Sequence, residues 1–363
     1  MTMMPSYKHL DQMLPWNDKV QVLECVAVLP ETQDCKTFSF QSTEPSWFRY
    51  TPGQFVTLEL PVGPVPALRT YTLSSSPSRP LSIAVTVKAQ RDSVATRWML
   101  DNLKVGDRLK AFGPSGTFSF HNHPAEKYLF ISAGSGITPM MSMTRWLYDY
   151  ARHTDISFIN CARRPSEIIF RAELERMATR DPNIKLAWIV EESDPYEVWP
   201  GFRGRINALM LELAVPDYRS REIFCCGPEP FMRNVREMLA AAGCDMARYH
   251  EESFHPSTEA EAAPIIVDGF GADAAETAAE IVFTRSGITA ECTSADTVLQ
   301  IARTAGLNIP SGCQFGVCGT CKTRKLSGEV QMSHNGGILD EEVEEGFILA
   351  CCSRPVGRIE VEI

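Results

Sequence analysis

The chain of 363 residues has no stretch of eighteen consecutive apolar residues, which excludes an ordinary membrane-spanning helix. It is also short of positive charge: 35 Lys and Arg stand against 45 Asp and Glu, a formal net charge of −10. Nucleic acid and anionic membranes demand a clustered cationic surface, so neither is an expected partner, whereas a basic docking protein is compatible. The first residues, "MTMMPSYKHLDQMLPW", lack a cationic start, an apolar core and a small-residue cleavage site. No secretory signal is expected, and the chain is read as cytoplasmic. No internal repeat is visible.

Cysteine is plentiful, with twelve in the chain. A disulfide framework suits short exported chains; this one is long and carries Cys225–Cys226 and Cys351–Cys352 as adjacent pairs, so reduced thiols are expected. Three cysteines fall in "SGCQFGVCGTC" (311–321) as Cys313-x4-Cys318-x2-Cys321, with a distant fourth in the Cys351–Cys352 pair. That is the plant-type spacing for a 2Fe–2S cluster. Gly312, Gly316 and Gly319 remove side chains that would keep backbone N–H groups away from sulfide and thiolate. Structural zinc sites favour two C-x2–4-C pairs and fit this spacing less well. Cysteines 25, 35, 161, 225, 244, 292 and 352 read as small buried hydrophobes in the first instance.

The length suggests two or three domains. After an N-terminal extension (1–18), residues 19–122 are β-rich, with runs such as "FVTLEL" (55–60) and "LSIAVTVK" (81–88) that imply a small antiparallel barrel. Residues 123–254 alternate short apolar runs ("KYLFISAG", "ISFINCA", "IKLAWIV", "EIFCCGP") with helical periods such as Met140, Met143, Leu147 and Tyr150, or Met232, Val235, Leu239 and Ala242. Such alternation predicts a parallel sheet covered on both faces. Residues 255–278, rich in Ala, Pro, Gly and acids and without Lys or Arg, read as a linker. A final unit, 279–363, opens with a hairpin-like alternation, "IVFTRSGITAECT".

Several motifs carry more. "RTYTLSSSP" (69–77), preceded by "YTPGQF" (50–55), resembles the flavin signature Arg-x-Tyr-Ser/Thr of the ferredoxin–NADP⁺ reductase superfamily. Arginine binds phosphate bidentately and tyrosine stacks on an aromatic face, which suits Arg69 and Tyr71 to those tasks. The resemblance implies Thr72 near flavin N5, with Ser74, Val85, Val87 and Lys88 also at the cofactor. "SVATRW" (93–98) resembles the helix start that receives flavin phosphate, through Val94, Ala95 and Thr96. The glycine pair often found there is replaced by Asp92 and Ser93, so FMN stays open beside the favoured FAD. "SAGSGITPM" (132–140) follows a strand and opens a helix, with Gly134 and Gly136 admitting a dinucleotide backbone and Thr138 and Pro139 in the first turn. "CCGPEPFM" (225–232) resembles the partner motif whose Cys226, Gly227 and Pro228 lie beside nicotinamide. "HEESF" (250–254) places Phe254 where the family covers the flavin face opposite Tyr71. Arg163 and Arg164 follow "ISFINCA" and suit a dinucleotide phosphate, although NADH is preferred to NADPH.

The family resemblance extends to the last unit, where "ILAC" resembles the approach to the final ligand of plant-type ferredoxins. It implies Cys313, Cys318, Cys321 and Cys351 as the cluster ligands. The implied fold is multidomain: an antiparallel β-barrel flavin domain, an α/β nucleotide domain and an α+β β-grasp ferredoxin domain. The implied activity is that of a reductase component of an oxygenase system, in which NADH reduces flavin and single electrons pass through the cluster to a separate Rieske-type oxygenase. Thr72, Cys226 and Phe254 are the candidate catalytic residues. The motif details imply an oxygenase that demethylates glycine betaine to dimethylglycine and formaldehyde; separately from those motifs, the reductase itself is read as a monomer. Carnitine or aromatic oxygenases, hybrid cluster protein and an iron–sulfur redox sensor are the other readings. The acidic run "LDEEVEEG" (339–346) reads as a solvated face, or as a docking patch for a basic oxygenase surface.

Overall fold

The computed structural model describes residues 13–16, 21–63, 66–90, 93–151, 153–194, 197–254, 278–307, 309, 316, 319, 321–334, 338 and 340–363. The chain forms two compact units, Met1–Phe55 with Tyr71–Ala111 and Thr117–His255, and Val56–Thr70 with Phe112–Gly116 and Pro256–Ile363. The expected linker and most of the N-terminal extension lie outside the described residues.

The first unit opens with β1 (Leu14–Pro15), β2 (Gln21–Thr32), β3 (Cys35–Ser42) and β4 (Ser46–Trp47). Next in sequence, β5 (Phe55–Leu60) and β6 (Ala67–Thr72) fall mostly in the second unit; β7 (Ile83–Lys88), α1 (Val94–Asn102) and β8 (Arg108–Ser115), whose last residues also fall in the second unit, continue the first. Within this unit β8, β2, β3 and β7 are neighbours in that order, every pair antiparallel. Phe38 and Phe40 of β3 are buried, and in β7 every residue from Ile83 to Val87, Val85 and Val87 included, is buried. Ser93 caps α1, its hydroxyl accepting from the Thr96 amide.

The same unit continues through β9 (Lys127–Ala133), α2 (Ile137–Tyr150), β10 (Asp155–Ala162), α3 (Arg171–Arg180), β11 (Ile184–Val190) and β12 (Phe202–Arg203). It ends with α4 (Ala208–Ala214), β13 (Glu222–Gly227), α5 (Glu229–Ala241) and β14 (Tyr249–Ser253). The sheet order is β12-β11-β10-β9-β13-β14, and all pairs are parallel. Period-two burial feeds two cores. Tyr128, Phe130, Phe158 and Phe224 pack with α2 and α3 residues such as Met140, Met143, Leu147 and Leu174. Leu129, Ile131, Ile159 and Ile223 pack with Leu211, Met232, Val235 and Leu239 from α4 and α5. The expected helical period therefore points inward except at its last member: Tyr150 ends α2 and is 65% exposed, its ring lying 5.3 Å from that of Trp146.

In the second unit, Thr57 of β5 and Thr70 of β6 share a hydroxyl hydrogen bond of 3.1 Å. Its larger part comprises β15 (Ala278–Phe283), β16 (Ile288–Thr293), α6 (Val298–Thr304), β17 (Lys322–Met332), α7 (Asp340–Glu344), β18 (Phe347–Leu349) and β19 (Ser353–Val361). The order is β16-β15-β19-β17-β18, with β15 and β19 parallel and the other pairs antiparallel. A capping box between Thr297 and Gln300 starts α6, which buries Val298, Leu299 and Ala302 against Ile281, Phe283 and Ile359. The acidic run forms α7, where Glu342 pairs with Lys322. Among the described residues no helix is long and apolar enough to cross a membrane.

Candidate functional site

In the parallel sheet, β10 and β11 extend to one side of β9, and β13 and β14 to the other. The order reverses between β9 and β13, and ligands bind at the carboxyl ends of strands at such a point. Both glycine motifs lie there. Gly134–Gly136 forms a single 3-10 turn between β9 and α2, and Thr138 Oγ1 donates to the Ser135 carbonyl at 3.0 Å. Pro139 sits in the first turn of α2. Cys226 and Gly227 end β13, and Pro228 occupies the N-cap of α5. A Cβ on Gly136 would stand 2.2 Å from the Cys226 carbonyl oxygen and 2.6 Å from the Gly227 nitrogen, so the two motifs touch backbone to backbone.

Cys226 is fully buried, and burial pushes its thiol well above the ordinary range, so it is neutral. Phe254 is half-buried and packs on the core that contains Cys226 and Phe224. Glu252, paired with Cys226 across β14 and β13, was not singled out within "HEESF". Its Oε2 is buried without a hydrogen-bond partner, and burial raises the carboxyl to about 8. An orphaned acid beside a neutral thiol at a glycine-lined crevice fits a polar aromatic ring system that brings its own donors.

The "TLSSSP" segment meets a second surface. Ser74 Oγ bonds Thr86 Oγ1 at 2.8 Å, which bonds Thr37 Oγ1 at 2.8 Å, and Thr37 donates to Glu31 at 2.6 Å. On the other side α2 holds the segment through one helical face. Ser142 Oγ donates to the Ser75 carbonyl at 2.6 Å, Arg145 Nη1 donates to the Ser74 carbonyl at 2.5 Å, and Asp149 accepts from Ser78. Their spacing, i, i+3 and i+7, puts all three on one stripe. Arg145 also forks onto Glu173 at 2.9 and 2.6 Å and lies 4.8 Å over the Phe170 ring. The polar stripe was visible in the sequence, but nothing local indicated that its target lay about seventy residues upstream.

The other expected flavin residues are placed as follows. Thr72 is buried at the end of β6, Tyr71 is half-buried beside it, and Val85 and Val87 are buried in β7. Lys88 pairs with Glu167 at 3.0 Å and Asp34 at 3.6 Å. In α1, Val94 is exposed and Ala95 buried, while Thr96 Oγ1 bonds the Ser93 carbonyl and the Gln90 amide. Arg69 belongs to the second unit and is half-buried on β6. Arg163 and Arg164 both bond Glu192, at 2.8 and 2.6 Å; that acid was not anticipated, since it arrives from the end of another strand.

For the cluster, Cys313 and Cys318 lie outside the described residues. Cys321, at the start of β17, and Cys351, between β18 and β19, are buried together, and the Cys351 amide donates to Cys321 Sγ at 3.5 Å. Gly316 has φ +69°, and a Cβ there would stand 2.8 Å from Cys352 Sγ and from His334 Cα. A thiolate receiving an amide, next to a turn closed to side chains, fits an iron–sulfur core. Cys25, Cys35 and Cys225 are buried, and Cys161, Cys244, Cys292 and Cys352 partly so.

An antiparallel flavin sheet, a parallel nucleotide sheet and a C-terminal cluster unit define a pyridine-nucleotide-dependent flavin and iron–sulfur reductase. Family models match each part: an oxidoreductase FAD-binding domain over residues 25–120, an oxidoreductase NAD-binding domain over 130–237 and a 2Fe–2S iron–sulfur cluster binding domain over 281–356. The chain is 57% identical over 350 residues to a stachydrine N-demethylase reductase subunit of Rhizobium meliloti, covering 96% of this chain and 97% of that protein. It is 45% identical over 354 residues to a glycine betaine monooxygenase reductase subunit of Pseudomonas aeruginosa, covering 96% of each. The fold is similar to phthalate dioxygenase reductase, with TM-score 0.59, 23% identity and coverage of 95% of this chain and 98% of that one. The chain belongs to the ferredoxin–NADP⁺ reductase family, among the reductase subunits of oxygenase systems. The barrel, parallel-sheet and ferredoxin organisation expected from the sequence is thus borne out.

Proposed function

We propose that this chain is the NADH-dependent reductase of a Rieske-type oxygenase that removes an N-methyl group from a betaine. The observation that carries the reading is full-length identity, 57% and 45%, to reductases whose named systems act on stachydrine and on glycine betaine. Both substrates are quaternary ammonium carboxylates. Carnitine and aromatic oxygenases, hybrid cluster protein and a sensor role are not favoured by these likenesses.

A bound flavin and cluster would supply the conversion of a hydride donor's electron pair into single electrons for the oxygenase. The residues of this chain bind and orient. Arg69 would offer its guanidinium to a phosphate; in the first unit, the start of α1 at Val94, Ala95 and Thr96 would offer amides to one. Tyr71 and Phe254 cover the two ring faces, and Thr72, Ser74, Val85, Val87 and Lys88 line its edge. Gly134, Gly136, Thr138 and Pro139 admit the dinucleotide, and Cys226, Gly227 and Pro228 border the nicotinamide. The neutral thiol of Cys226 packs without competing as a nucleophile. Cys313, Cys318, Cys321 and Cys351 ligate the cluster.

NADH is the preferred donor because Glu192 occupies both Arg163 and Arg164, leaving a 2′-phosphate to meet an acid. We place the reductase in the cytoplasm as a monomer, which light scattering would check. The decisive experiment mixes the cofactor-loaded protein, NADH and its oxygenase fraction with stachydrine, glycine betaine and carnitine, and measures formaldehyde. Release from a betaine, dependent on this protein, is expected. Release from none, while NADH still reduces flavin and cluster, would remove the substrate assignment and leave the reductase.

A further inference from the structure

We propose that His123, Glu222 and His250 form a binding site for a divalent first-row transition ion, for which Zn²⁺ is the probe. One ligand atom from each of the three lies within 4.8 Å of the others, and all three residues are half-buried. They come from separate places in the first unit: His123 follows the 3-10 turn Phe120–Asn122, Glu222 opens β13, and His250 lies in β14. Strands β13 and β14 are paired, so the Glu222 and His250 backbones are fixed relative to each other.

His250 Nε2 bonds Glu222 Oε1 at 2.7 Å, and the His123 and His250 rings stack with centroids 3.5 Å apart. The ion would replace the proton shared by Nε2 and Oε1, while His123 tilts out of the stack to offer a nitrogen. Phe224 backs both rings, at 5.0 and 6.0 Å between centroids. Beside them is a cleft of about 220 Å³, lined also by Thr117 and Ser119, with room for a water or an exogenous ligand to complete the ion's shell. The other charges nearby are engaged: Arg248 lies 3.7 Å from Glu222 Oε2, and Glu251 is held by Arg236 and Tyr249. Two imidazoles and one carboxylate suit zinc, cobalt or nickel better than calcium or magnesium.

The test uses the full chain with flavin and cluster in place, titrated with Zn²⁺ by calorimetry, alongside His250→Gln, His123→Gln and Glu222→Gln. A single equivalent is expected whose affinity falls about tenfold or more in each variant. Zinc-edge absorption on the wild type should show nitrogen and oxygen neighbours. Unchanged affinity in folded variants, or a shell of sulfur alone, would overturn the site. If the variants lose flavin, the absorption spectrum of the wild type decides.

Discussion

Arg145 is the side chain whose loss should be felt most widely in the first unit. Arg145→Met removes the 2.5 Å bond to the Ser74 carbonyl and both bonds to Glu173, and strands a Glu173 carboxylate whose side chain is only 28% exposed. Breaking a largely buried pair from one side costs about 3 kcal/mol, towards the low end of the range because Glu173 still reaches water. For a folding unit of this size that corresponds to a fall of about 6–12 °C in melting temperature. Flavin fluorescence during a thermal ramp reports it if the Ser74 segment lines the flavin as proposed. Glu173→Gln in the Arg145→Met background takes away the stranded charge and should recover part of the loss. If the double variant loses as much as the two single variants together, the residues are not acting as a pair and the reasoning fails.

Gly136→Ala, whose Cβ would meet backbone at 2.2 Å, should separate the two glycine motifs; a large rise in KM for NADH with an intact cluster spectrum is expected, and an unchanged KM would refute the close approach. Glu192→Gln frees Arg163 and Arg164 and should shift preference towards NADPH by roughly fivefold in kcat/KM, read from the two donors side by side. Glu252 is raised in the folded chain to about 8 from an ordinary 4.5, so the folded state holds a proton that the unfolded chain gives up. Its contribution to stability is full below about pH 4.5 and is lost as pH rises towards 8. Melting of Glu252→Gln relative to wild type should therefore gain with pH across that window, and parallel curves would place the carboxyl elsewhere.

The sequence disclosed most where chemistry is local. The Cys-x4-Cys-x2-Cys spacing, the G-x-G turn at the end of a strand and the Pro after Cys226-Gly227 each state a backbone need within ten residues. Period-two and helical patterns likewise predicted β9 to β11, β13, α2 and α5, failing at Tyr150, the exposed last residue of α2. What stayed hidden depends on distant pairing. Arg145 on Ser74, Glu192 on the two arginines and His123 on His250 join segments that only the folded sheet brings together. Glu252 was in plain view in "HEESF", but a carboxylate is conspicuous only once its burial is known.

The stripe Ser142–Arg145–Asp149 has a bearing on how such reductases can be recombined. A chimera joined between residues 122 and 127, at the seam suggested by the sheet topology, would take the serine-rich segment from one parent and its helical clasp from another. All three bonds would then depend on chance compatibility. A crossover placed after Phe254 leaves every one of them within a single parent. For exchange of parts, the stretch from Tyr71 to Tyr150 should thus behave as one inherited cassette.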